Sequence, residues 1–156
     1  MHHVSIRTAD IHRAIAFYEA LGFTVTERFT TGMTLACWLE GWNGRLELVQ
    51  VPNPKPPPDP FADEGYVGYY HLSLDLRYRP QAEQPTADGI VTAGLPQWLE
   101  DFHHCISTLQ DQGIPLDSPK VLLSPCQQMI GSKVYEVAFI ADPDGLPIEV
   151  LNLLTR

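Results

Sequence analysis

The sequence predicts an α+β fold of paired βαβββ modules forming a curved mixed sheet around a cavity. A strand-helix-strand-strand-strand pattern runs through residues 2–51 and, after a proline-rich interruption, returns in the remainder of the chain. Each copy opens on the same H-x-S motif, His3-x-Ser5 and His71-x-Ser73. A lone four-stranded sheet with one helix leaves its other face bare, so two such units are expected to cover one another, with the helices on the outer face of the curved sheet and the polar side chains of the strands lining its concave side. The 156 residues suffice for one domain with a common core. We divide it into a first module at about 1–51, a linker at 52–68 and a second module at about 69–156.

In HHVSIRT, residues 2–8, Val4 and Ile6 face one way while His3, Ser5 and Arg7 face the other, the mark of a half-buried strand. Asp10 stands where a helix N-cap belongs. Ile11, Ala14, Ile15, Tyr18 and Leu21 then recur at helical spacing, and Gly22 supplies the stop. Strands are expected at Phe23–Phe29, Met33–Leu39 and Arg45–Val51, parted by Thr31-Gly32 and by Gly41-Trp42-Asn43-Gly44. PNPKPPPDP, residues 52–60, cannot keep a hydrogen-bonded ladder, because proline lacks the donor and fixes φ; it is expected to be a stiff linker. YYHLSLDL alternates again, with His71, Ser73 and Asp75 on one face. Residues 77–96 read as an insertion. Trp98, Phe102, Cys105, Ile106 and Leu109 mark a second helix ending near Gly113, and strands around 119–123, 133–140 and 147–153 complete the second module.

Composition narrows the function. With 44% hydrophobic and 19% charged residues the chain is ordinary for a globular protein, and no apolar run approaches the roughly 18 residues of a membrane span. Nineteen acidic against ten basic residues, a formal charge of −9, argue against a nucleic-acid partner. The opening residues resemble neither a secretory signal nor a transit peptide, so a cytoplasmic location is expected. Cys37, Cys105 and Cys126 are odd in number, lack C-x-x-C spacing and are expected to be buried or semi-buried free thiols.

Alternation sends four titratable residues towards the cavity: His3 on the first strand, Glu47 on the fourth, His71 on the fifth and Glu149 on the last. Leu46 and Leu48 bracket Glu47, and Ile148 and Val150 bracket Glu149, so both carboxylates turn away from an apolar register. Any one of the four alone would be unremarkable, since most such residues are solvated. One His and one Glu in each repeat are harder to assign to chance. A register slip of one residue would make His2 the inward residue in place of His3. Two imidazoles and two carboxylates form a sulfur-free donor set suited to one divalent ion per site, Ni²⁺, Co²⁺, Zn²⁺ or Mn²⁺, with positions left for substrate. Trp38, Trp42 and Trp98 could line an apolar substrate pocket, but Trp98 at helical spacing is expected to anchor the second helix and none of the three is assigned to the site. His103 and His104, adjacent on a helix, point in different directions.

HHVSIRTADIHRAIAFYEALGF resembles the opening of vicinal-oxygen-chelate proteins: a ligand-bearing strand, an Asp-capped helix and an F-Y-x-x-L-G-F ending. FIADPDGLPIEVLNL resembles their closing signature, a D-P-D-G turn followed by a strand carrying the last metal-binding Glu, here Glu149. A carboxylate at the fourth strand, Glu47, favours the glyoxalase I branch over extradiol dioxygenases, which lack a ligand there, and over methylmalonyl-CoA epimerases, which typically place Gln there. The resemblance implies a homodimeric, metal-dependent lyase acting on a small molecule, the hemithioacetal of glutathione and a 2-oxoaldehyde such as methylglyoxal. It further implies Glu149 as the base, Glu47 as a second proton-transfer group and Arg7 as a contact for a glutathione carboxylate. The family's Asn four residues beyond the fourth-strand Glu is Val51 here, a departure in the thiol-binding region. A non-catalytic ligand-binding protein of the bleomycin-resistance type is the alternative from the same architecture.

Overall fold

The computed structural model describes residues 1–80 and 94–154. The first half runs β1 (Val4–Thr8), α1 (Ile11–Ala20), β2 (Thr24–Thr31), β3 (Thr34–Gly41) and β4 (Gly44–Gln50). The second runs β5 (Leu72–Asp75), a 3₁₀ turn (Leu76–Tyr78), α2 (Leu95–Asp111), β6 (Lys120–Ile130), β7 (Lys133–Ala141) and β8 (Pro147–Leu153). The two sheets have the same order, β1-β4-β3-β2 and β5-β8-β7-β6, with the first pair of each parallel and the rest antiparallel.

Local chemistry accounts for the boundaries. The Asp10 carboxylate accepts from the His12 and Arg13 amides at 3.0 and 3.1 Å, satisfying two donors that a helix start leaves open. At the other end Gly22 takes φ +106° and the Phe23 amide returns to the Tyr18 carbonyl, closing α1. Trp42 and Asn43 both have positive φ, 53° and 57°, as a two-residue type I′ hairpin between β3 and β4 demands. The Trp42 indole is buried and donates to the Leu21 carbonyl at 3.1 Å.

Two boundaries differ from expectation. Helix α2 starts at Leu95, inside the segment read as an insertion, because Pro96 in its first turn starts a helix well; residues 81–93 lie outside the described residues. Strand β6 extends to Ile130 through Pro125, with register shifts between Val121 and Leu123 and between Leu123 and Cys126. It is an edge strand, where a missing amide donor breaks no ladder. Of the cysteines, Cys37 is buried and Cys126 half-buried, whereas Cys105 is exposed on α2.

The layers stack sheet, helix, helix, sheet: α1 packs on β4 and β2, α2 on β7 and β8, and the helices meet each other. Phe17 and Phe102 cross at 5.6 Å between ring centroids. Leu46 and Leu48 of one sheet and Ile148 and Val150 of the other join α1 and α2 in one cluster of buried side chains. The helices therefore lie between the sheets, not outside a cavity closed by one chain. A second contact ties the halves together. The turn between β7 and β8 grips the β1–α1 junction, with Asp144 accepting from the Thr8 hydroxyl and the Ala9 amide, Arg13 donating to the Pro143 carbonyl, and the buried Tyr18 hydroxyl donating to Asp142 at 3.0 Å.

Candidate metal centre

Because side chains alternate across a strand, the register that faces the shared core leaves the other register on the outer face of each sheet. Glu47 lies on that outer face of the first sheet, level with Ser5 on β1 and Trp38 on β3. Glu149 occupies the matching place in the second, level with Ser73 on β5 and Phe139 on β7. The repeat thus places the same trio, Ser, Glu and an aromatic ring, across three neighbouring strands in each half.

The imidazoles complete two pairs. His3 Nε2 stands 3.4 Å from Glu47 Oε2, and His71 Nε2 stands 3.2 Å from Glu149 Oε2. Two ligands each about 2.0–2.2 Å from one ion lie roughly 3–3.4 Å apart at tetrahedral or octahedral angles, so each pair fits half of a four-donor site. Ser73 Oγ donates to Glu149 Oε2 at 2.7 Å and holds that carboxylate. The four candidates do not meet in one chain: among the described residues, no three His, Cys, Asp or Glu side chains gather to hold an ion. The sheet-helix-helix-sheet stacking explains this, since the two pairs sit on opposite outer faces.

His2 and His3 both precede β1, so strand alternation does not decide between them. His3 faces Glu47, while both ring nitrogens of His2 have other neighbours, Nδ1 at 2.8 Å from His3 Nδ1 and Nε2 at 3.0 Å from Arg45. Arg7 is exposed on β1, on the same face as Ser5 and opposite Val49.

Several residues at the two pairs were not singled out by sequence reasoning. Trp38 lies edge-on to His2 at 5.5 Å and to Phe29 at 5.1 Å, and the Arg45 guanidinium sits 5.4 Å over its ring. Arg45, two residues before Glu47 and hence on its face, also pairs with Glu40. Around His71, Tyr70 approaches to 4.5 Å and Phe139 to 5.2 Å between ring centroids. The alternation that exposed Glu47 and Glu149 could have found Trp38 and Phe139, since each stands level with its Glu on the adjoining strand. Trp42 and Trp98, by contrast, belong to the core.

The model of the glyoxalase/bleomycin resistance protein/dioxygenase superfamily matches residues 1–150. A search of curated protein sequences gives no match. Among solved structures, a glyoxalase family protein from Enterococcus faecalis is 19% identical with a TM-score of 0.62, over 97% of this chain and 96% of that one. A glyoxalase family protein from Bacillus cereus is 16% identical with a TM-score of 0.60, over 99% and 94%. A glyoxalase I mutant from Zea mays is 17% identical with a TM-score of 0.57, over 97% of this chain and 45% of that one.

Proposed function

Because the chain belongs to the glyoxalase/bleomycin resistance protein/dioxygenase superfamily, we propose that it is a metal-dependent lyase isomerising the hemithioacetal of a 2-oxoaldehyde through an enediolate. The observation that carries this reading is the duplicated His–Glu pair, His3 with Glu47 and His71 with Glu149, each on a sheet face turned away from the core. A homodimer in which the first half of one copy faces the second half of the other would bring the four donors together twice over. Such a closed two-fold arrangement uses each face once.

His3, Glu47, His71 and Glu149 would hold the ion, which when bound polarises the substrate's two neighbouring oxygens and stabilises the enediolate charge. Glu149 takes the carbon-bound proton. Ser73 fixes its Oε2, so the acceptor is aimed before substrate arrives. Glu47, from the facing half, takes the hydroxyl proton of the hemithioacetal and delivers it to the neighbouring carbon, while Glu149 passes its proton to the former carbonyl oxygen, so both carboxylates are regenerated and the product is a hydroxyacyl thioester. Arg7 and Arg45, on the face of Glu47, supply positive charge for an anionic thiol partner.

The test is isomerisation of the hemithioacetal of glutathione and methylglyoxal in added Ni²⁺, Co²⁺ or Zn²⁺, with Glu149→Gln beside wild type. The reading expects metal-dependent turnover that falls by at least about a hundredfold in the variant. Metal binding without turnover of any hemithioacetal would reject the lyase and leave an epimerase or dioxygenase. Failure to bind metal would favour a ligand-binding protein of the bleomycin-resistance type.

A further inference from the structure

The proline-rich connection does more than span the two halves. Asp59 anchors a turn within it: its carboxylate accepts from the Phe61 and Ala62 amides at 2.9 Å each, and its own amide donates to Asp63 at 3.0 Å. Hydrogen bonds to those two amides hold the Asp59 carboxyl below its ordinary pKa, so the turn stays charged and formed at neutral pH. The turn sets Phe61 against Phe139 at 5.8 Å and 85°, and near Tyr70 at 6.5 Å. Tyr70 in turn lies nearly parallel to Phe139, 28° apart at 6.1 Å. Tyr70 and Phe139 both meet the His71 ring beside Glu149, and Phe61 extends this cluster by packing on those two rings.

Phe139 is 7% exposed and is the floor of this cluster, whereas Phe61 and Tyr70 keep 45% and 49% of their surface exposed. The first half has no equivalent, because the Trp38 ring is already met by Arg45, Phe29 and His2. Half-exposed rings beside an imidazole and a carboxylate favour a planar apolar group, which stacks or meets them edge to face.

We propose that Phe61 of the connection and Tyr70, next to His71, form an aromatic subsite at the His71–Glu149 pair that selects substrates carrying an aryl group beside the reacting 2-oxo carbon. This deepens the proposed function and rests on that pair being half of the reactive site. The rings determine specificity and leave proton transfer to the carboxylates.

The test compares equilibrium binding of benzoylformate and pyruvate, which share a 2-oxo acid and differ in the ring, to the protein as purified, by calorimetry. Wild type is set beside Phe61→Leu and Tyr70→Leu, with circular dichroism confirming the fold of each. Wild type should prefer benzoylformate, and each variant should lose roughly two- to tenfold of that preference while pyruvate binding stays unchanged. This result stands whether or not any hemithioacetal turns over, so it is separable from failure of the lyase. No preference for the aryl acid in wild type, or an equal change for both acids in the variants, would overturn the proposal.

Discussion

Replacing Asp142 by Asn should stabilise the protein at neutral pH and remove a pH dependence that wild type carries. Asp142 is 5% exposed, at the junction of the two halves. Burial pushes its carboxyl up from 3.8 to about 6; the neighbouring Asp144 adds to the rise, while hydrogen bonds from the Leu146 amide, the Tyr18 hydroxyl and the Asp144 amide oppose it. A carboxyl whose pKa is raised on folding favours the protonated folded state. Its contribution is fully present below about 3.8 and is lost as pH rises through about 6. That gap corresponds to roughly 3 kcal/mol, to order of magnitude. In Asp142→Asn the amide oxygen still accepts from the Asp144 and Leu146 amides, which bond Asp142 Oδ1 at 2.9 and 2.8 Å. The amide nitrogen then faces the Tyr18 hydroxyl, whose proton loses its acceptor at a cost of about 1–2 kcal/mol. A net gain of about 1–2 kcal/mol near pH 7.5 follows, turning to a net loss near pH 4. Urea denaturation from pH 4 to pH 8 reads it out. Wild-type and variant stabilities that run parallel across this window would refute the reasoning.

Two further substitutions test the supports of the site and of α2. Ser73→Ala removes the 2.7 Å bond to Glu149 and should weaken metal binding about tenfold in a competition titration, with unfolding little changed. Glu136→Ala deprives the Leu95 amide, at the start of α2, and the buried Asn152 amide of their shared acceptor. It should cost about 2 kcal/mol in urea denaturation.

How far the site was legible follows from which contacts are local. Glu47 and Glu149 stand out because leucine, isoleucine and valine neighbours declare the buried register, and Asp10 and Gly22 mark α1 because capping is a matter of a few adjacent residues. The packing of the halves was not legible. The apolar stripe of α1, Ile11, Ala14, Ile15, Tyr18 and Leu21, marks its buried face, but nothing local says that Phe17 is buried too and meets Phe102 of the other half, a contact that goes with the two His–Glu pairs lying on opposite faces. The seating of Phe61 on Phe139 is likewise a contact between distant segments, so a proline-rich stretch read as a spacer concealed an aromatic wall. Helical spacing already set Trp98 apart as an anchor of α2, whereas Trp38 and Trp42 looked alike in sequence, and only register and turn position divide Trp38 beside His3 from Trp42 in the core.

The central claim is that the four donors meet between two copies, the first half of one facing the second half of the other. Mixing Glu47→Gln with Glu149→Gln protein, after unfolding and refolding together, tests it most directly by metal content. Each variant alone should lose stoichiometric metal. In a mixed dimer one site carries both substitutions and the other none, and random pairing makes half the dimers mixed, so the claim predicts recovery of about a quarter of the wild-type metal. A mixture that binds no more metal than its components would contradict it.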